Sequence, residues 1–194
     1  APFYLYPAPT SGYISGTNNF EDQEKVQEFA NNQSVTVHGA VFWAGAKNWA
    51  STNNGSLLTM NLRSMNGAAT DLSGAVNDGP GTVLQSQTME LERVDTSGFF
   101  NYMEFNTPAN LSTNYGIGFA FGALTAGDEF GLVTTEDGAA AGADMSWELW
   151  SDGDWYSMNA AWNSNSDGDF DFGIFPVVCS TLVGTDNMES GINL

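Results

Sequence analysis

The chain is poor in positive charge. Lys25, Lys47, Arg63 and Arg93 are its only bases, against 23 acids, and the net charge is −19. Nucleic acids and anionic membrane surfaces are held by basic patches, so this balance argues against both as partners. His38 is the sole histidine and Cys179 the sole cysteine. One cysteine closes no internal disulfide. One of each excludes the usual His/Cys zinc site, and a histidine-based triad would have only His38 to use. Cys179, in the run Phe175-Pro-Val-Val-Cys179, reads as a small buried hydrophobe. No stretch approaches the roughly 20 apolar residues of a membrane span, so membrane insertion is not expected. Helix formers are scarce.

Glycine and aromatics are plentiful: 22 Gly, 13 Phe, 6 Tyr and 6 Trp. This composition favours β structure. At 194 residues one domain is expected, long enough to bury a core without staples. The acidity keeps a protein soluble or attracts cations, and it suits a saline habitat.

Ala1–Pro9 is extended and apolar, with Phe3, Tyr4, Leu5 and Tyr6 between prolines. It reads as an edge strand of the chain's own sheet or as a strand donated to a neighbour. Phe20–Asn31 carries the one helical pattern, with Glu21, Asp22 and Glu24 in its first turn and Val26 and Phe29 on one side. In Ser34–Trp43, alternation puts Val35, Val37, Val41 and Trp43 on one face and Thr36 and His38 on the other. Leu58, Met60 and Leu62 alternate with polar residues. Residues 67–81 read as a loop, and 82–94 as one or two strands. Phe99, Met103 and Phe105 share a face. Tyr115, Ile117, Phe119 and Phe121 alternate with Gly116, Gly118, Ala120 and Gly122, so another backbone or a ligand should lie close to the small face. Phe170, Phe172, Ile174 and Val178 form the inner face of a closing strand. The fold expected is all-β: an antiparallel, jelly-roll-like β-sandwich of about nine or ten strands with one short helix. Its parts would be a terminal edge or donor strand over 1–12, the sandwich over 13–180 and a tail over 181–194.

The stretch 146–178 holds four tryptophans and the densest acidic loop. Ser151-Asp-Gly-Asp154 should turn one strand into the next. In the loop, Asn163, Asn165, Asp167 and Asp169 alternate and Asp171 follows. Such oxygen ligands suit Ca²⁺, and the run resembles the first half of an EF-hand loop. The bidentate glutamate is missing, because Ile174 stands there, and the alternative is a solvated turn. Trp150, Trp155, Tyr156 and Trp49 are candidates for a sugar-binding platform, or else fill the core or a subunit contact. A glycosidase would need two carboxylates about 5 Å apart, for which Glu148 and Glu104 are the candidates.

Several segments together resemble a known family. They are Tyr13-Ile-Ser-Gly16, Phe20-Glu-Asp-Gln-Glu-Lys-Val-Gln-Glu-Phe29, Val41-Phe-Trp-Ala-Gly-Ala-Lys47, Pro80-Gly-Thr-Val-Leu-Gln-Ser86 and Asp171-Phe-Gly-Ile-Phe-Pro-Val-Val178. Their order is similar to that in β-sandwich domains of secreted Bacteroidetes proteins exported by the type IX secretion system. In that family a C-terminal sorting domain usually follows. Asp186-Asn-Met-Glu-Ser-Gly-Ile-Asn-Leu194 resembles the linker before it, and Ala1 resembles the start of a mature chain. The resemblance implies an extracellular or outer-surface location and no defined activity. The function expected is a non-catalytic structural or adhesive subunit, self-assembling into filaments or a sheath, in which Phe3, Tyr4, Leu5 and Tyr6 make the contact between copies. Carbohydrate binding to surface glycans is the first alternative and a jelly-roll glycoside hydrolase the second.

Overall fold

Bulges, as much as alternation, decide which side chains of this chain reach the interior. The computed structural model describes residues 6–7, 12–49, 55–136, 144–162 and 169–180. In chain order the strands are β1 (Tyr6–Pro7), β2 (Tyr13–Gly16), β3 (Glu24–Phe29), β4 (Val35–Phe42), β5 (Ala44–Asn48), β6 (Leu57–Asp71) and β7 (Gly74–Glu90). After a 3₁₀ turn at Leu91–Arg93 come β8 (Asn101–Leu111), β9 (Tyr115–Ala120), β10 (Glu129–Val133), β11 (Ser146–Leu149), β12 (Trp155–Ser157), the helix α1 (Met158–Trp162) and β13 (Ile174–Ser180). The architecture is all-β and antiparallel throughout, save one parallel bridge, as an all-β sandwich requires.

Three sheets form it. One runs β1-β2-β10-β5, a second β13-β4-β8 and a third β12-β11-β3-β9-β6-β7. In the third, β12 also pairs with the far end of β6 through Tyr156 and Thr70, so five strands close into a ring. The ring encloses a small core of Val26, Ala69, Trp147 and Trp155. The opposite face of the same sheet supplies Leu58, Met60, Leu62, Ile117 and Phe119 to the main core, where they meet Val37, Phe42, Phe105, Phe130 and Phe172.

β9 behaves as its sequence requires. Tyr115, Ile117, Phe119 and Phe121 are buried in the main core. The small face lies against β3: a Cβ on Gly118 would stand 2.5 Å from the Lys25 carbonyl oxygen. The close neighbours are therefore the β3 backbone and the Val26 side chain.

Several readings are corrected. Residues 24–29, expected as helix, form β3 between β11 and β9. The only helix among the described residues is α1, far along the chain. Residues 67–81, expected as a loop, continue the β6–β7 hairpin, whose repeated register shifts between Leu62 and Ala69 bend it over the ring. Val41 and Trp43 face outward, because β4 bulges at His38: both its neighbours lose register between Val37 and Gly39 or at the matching position. Ala40 and Phe42 take the core positions instead. Val178, expected on the inner face, is 41% exposed although it pairs with Val37, and Phe99 precedes β8 and is exposed. Cys179, expected to be buried, is exposed on β13.

Candidate functional site

The bulge in β4 produces the most distinctive surface of the molecule. Val41, Tyr102 and Phe175 share one rung across β4, β8 and β13, facing away from the core. Tyr102 is 46% exposed and Phe175 49%. Trp43 follows β4 at the point where the chain passes from one sheet into another: its N–H donates to the Gly173 carbonyl and its carbonyl accepts from Val133. Phe99 and Phe100 follow the Asp95–Gly98 turn and are exposed. The rings form a chain. Trp43 meets Phe100 edge-on at 5.7 Å, and Phe100 meets Phe175 edge-on at 5.6 Å. Edge-to-face geometry of this kind is a favourable aromatic arrangement. It holds three large side chains in place while their outer surfaces stay wet.

A cleft of about 1020 Å³ adjoins this face. Trp43 and Phe175 stand at its wall with Ile14, Phe29, Val133 and Phe172. Its polar floor is fixed from within. Gln27 Nε2 donates to Asp171 Oδ1 at 2.7 Å, and the Phe172 N–H donates to Gln27 Oε1 at 2.8 Å. Neither His38 nor Cys179 lines it. The arrangement offers stacking and apolar contact beside a few fixed polar groups, which is the chemistry of binding.

The ion pairs of Lys25 and Arg63 lie outside the lining of this cleft, whereas Glu28 and Asp171 belong to it. Lys25, 1% exposed, places Nζ 2.5 Å from Asp22 Oδ2 and 2.5 Å from Glu148 Oε2. Trp150 Nε1 donates to Glu148 Oε1, Trp162 Nε1 to Glu148 Oε2 and Asn18 Nδ2 to Asp22 Oδ2. Burial would lower the Lys25 pKa, but the charges of Glu148 and Asp22 more than offset this and hold it raised. On the ring side of β3, Arg63 grips Glu24 with Nε at 2.8 Å and Nη2 at 2.7 Å. The guanidinium lies 5.1 Å from the Trp155 ring centre. Glu28 accepts from Trp147 Nε1 and Asn114 Nδ2. Burial pushes its pKa up, against these two hydrogen bonds.

These placements decide where the expected site residues stand. Trp150 and Tyr156 come together, stacked at 4.1 Å. Trp155 is buried inside the ring, and Trp49 is exposed after β5 in another sheet. The four therefore make no common platform. Glu148 is buried in its ion pair while Glu104 is exposed on β8, so they do not face one another. Asn163, Asn165 and Asp167 lie outside the described residues. Asp169 and Asp171 are half-buried, and Asp171 exchanges backbone and side-chain hydrogen bonds with Thr135 and Gln27. No group of three or more His, Cys, Asp or Glu among the described residues is placed to hold a metal ion. Phe3, Tyr4 and Leu5 also lie outside the described residues; Tyr6 pairs with Ile14 of its own chain.

The aromatic face was missed because strict alternation put Val41 and Trp43 inside. One signal for it existed. Phe99 and Phe100 are adjacent, and two neighbouring residues of a strand cannot share a buried face. No family model matches the chain, and no curated protein or solved structure matches it.

Proposed function

We propose that the chain is a non-catalytic extracellular or cell-surface protein that works by association, as a structural or adhesive subunit. The observation that carries this reading is the aromatic face of Trp43, Phe99, Phe100, Tyr102 and Phe175. Isolated exposed apolar residues are ordinary, but a contiguous patch of large rings marks an interaction surface. The resemblance to exported Bacteroidetes β-sandwich domains supports the location, with type IX secretion as the route. The hydrolase alternative loses its carboxylate pair, since Glu148 and Glu104 are apart. Ca²⁺ at Asn163, Asn165, Asp167, Asp169 and Asp171 stays within the proposal as a cofactor of assembly, and titration calorimetry with Ca²⁺ tests it.

The test is negative-stain electron microscopy with light scattering, in sea-salt buffer with Ca²⁺ and with chelator. Wild-type chain is expected to assemble, and F100S/F175S, folded by circular dichroism, is expected not to. Wild type that stays monodisperse in both buffers removes the self-assembling form of the reading. Carbohydrate binding then takes its place, favoured by the position of Trp43 at the cleft wall. It predicts hits on a glycan array that W43A abolishes, and an array without hits ends it.

A further inference from the structure

The buried cluster around Lys25 holds reactive partners that association leaves unused. Lys25 on β3 and Glu148 on β11 stand directly opposite one another in the pairing of the two strands. Nζ lies 2.5 Å from Glu148 Oε2 and 2.5 Å from Asp22 Oδ2. Both contacts are closer than the about 2.7–2.9 Å of an ordinary ammonium–carboxylate pair. The side chains of Lys25 and Glu148 are each 1% exposed and that of Asp22 is 2% exposed, so bulk water is kept from all three. On its other side Lys25 stands opposite Phe119 of β9, itself buried. The indoles of Trp150 and Trp162 lie against the Glu148 carboxylate. A primary amine is thus held on a carboxyl group, with a second carboxylate on the same nitrogen, in an enclosure of aromatic rings.

The two carboxylates are not equivalent. Asp22 receives Lys25 Nζ and Asn18 Nδ2 on the same oxygen, Oδ2. Glu148 turns Oε2 to Nζ and accepts from Trp150 Nε1 on Oε1. The Trp150 ring is held by its stack on Tyr156, the β12 residue opposite Glu148. A fixed donor on the oxygen remote from the amine is what acyl transfer needs, because negative charge gathers there when a nucleophile adds to the carboxyl carbon. Glu148 therefore has the surroundings of an acyl group, and Asp22 those of a proton carrier.

We propose that Lys25 and Glu148 join in an intramolecular isopeptide bond, formed by the folded chain itself with Asp22 as general base. The ion pair is the unreacted state of this site. Asp22 Oδ2 takes a proton from Nζ and passes it to Glu148 Oε2, leaving an amine beside a carboxylic acid. This transfer removes two opposite charges from a buried place, which burial favours. It gives up no proton to solvent, so the cluster's strong hold on the Lys25 proton against solvent does not oppose it. The Nζ electron pair then bonds to Glu148 Cδ, and the charge that develops on Oε1 meets the Trp150 N–H. A second proton leaves Nζ by the same route, and Oε2 departs with both protons as water. Ammonium plus carboxylate gives amide plus water, and no oxidant, reductant or co-reactant is needed. Holding the reacting groups together supplies what a free amine and acid lack in solution. In the product the amide oxygen keeps its Trp150 donor, and the amide N–H donates to Asp22. The bond ties β3 to β11, so tension on the chain ends cannot draw out the segment between them. That suits the structural subunit proposed above but does not rest on it.

Intact-mass spectrometry of the purified wild-type chain tests it. The mass should lie one water below that of the sequence, and protease digestion should release a branched peptide joining Lys25 to Glu148. K25R keeps the positive charge but lacks the amine, and it should show the full sequence mass. On a denaturing gel wild type should run ahead of K25R, because a bond between positions 123 apart keeps a long loop closed. D22N, shown to be folded by circular dichroism and compared at equal times after synthesis, should lose the water about a hundredfold more slowly than wild type. Wild type at its full sequence mass overturns the proposal, whatever the variants do. So does a water lost elsewhere, as a cyclic imide at Asp152-Gly153 or as a bond from Lys25 to Asp22, which the peptide map distinguishes. D22N that reacts as fast as wild type overturns the role given to Asp22. None of these outcomes depends on whether the chain assembles.

Discussion

Lys25 shows how a side chain unsuited to burial is kept in the interior. It lies among two carboxylates, and those carboxylates accept from two indoles and an asparagine. Such a cluster contributes little net stability over an apolar replacement, but removing one member strands the rest. K25M should therefore cost about 3–5 kcal/mol in urea unfolding. Neutralising the partners as well, in K25M/D22N/E148Q, should recover more than half of the loss. Glu28 makes the opposite kind of statement. Its folded-state pKa is raised by burial. The folded chain thus holds this proton more tightly than the unfolded one, and the associated stability is present below pH 4.5 and lost as pH rises through the folded value. E28Q keeps an acceptor for Trp147 Nε1 and removes the charge. It should be more stable than wild type at pH 7 and equal to it below pH 4.5, by thermal unfolding across that range.

At the scale of elements, β9 is the strand most tightly constrained by its neighbours. G118A would drive a Cβ to 2.5 Å from the Lys25 carbonyl and 2.4 Å from Val26 Cγ2, with backbone on one side unable to yield. A loss of about 1–3 kcal/mol is expected from such overpacking. Gly122 has nothing within 4 Å of the same position, so G122A should stay within roughly 0.5 kcal/mol of wild type. Denaturant titration of the pair checks the contrast. β9 was also the strand most fully legible in the sequence, because its large and small faces alternate without interruption. β3 was illegible. Glu24, Lys25, Gln27 and Glu28 give it no period-2 apolar pattern, and their partners Arg63, Glu148, Asp171 and Trp147 arrive from distant segments. Acids before Val26 and Phe29 instead imitate a helix start. The aromatic face failed for a different reason. A single bulge residue, His38, inverts the facing of everything after it in β4, and no local feature of the sequence announces it. The Ca²⁺ loop and the donor strand fall mostly on residues outside those described, and they remain proposals.

For the whole molecule the decisive quantity is the imbalance of charge. All four bases have partners within the chain. Lys25 and Arg63 are paired with buried acids, Lys47 donates to the carbonyls of Leu91, Glu92 and Val94, and Arg93 meets Glu90. The surface is left with acids and little to balance them, so self-repulsion opposes the compact state. Raising NaCl from about 0.05 M to about 0.5 M should raise Tm by roughly 3–6 °C, equivalent to about 1–2 kcal/mol at this size. Differential scanning calorimetry checks it. Ca²⁺ at equal ionic strength should add a further rise if the acidic loop holds the ion, and no further rise removes Ca²⁺ from the proposed cofactors.

The ring of the third sheet sets a timetable for the nascent chain. β3 lies near the beginning of the sequence, yet its two neighbours are β9 and β11, and the ring closes only when Tyr156 reaches Thr70. β4 in turn waits for β13, the last strand described. The β6–β7 hairpin pairs locally, but β3 and β4 find their partners only in later segments. Contacts between residues so distant in sequence form slowly, because the long intervening loops must close first. On a chain emerging from the ribosome, the ring stays open until β11 and β12 have been made, and β4 lacks one neighbour until β13 follows. Until then its aromatic segments stay exposed, and a holding chaperone would have the whole length of synthesis in which to bind them.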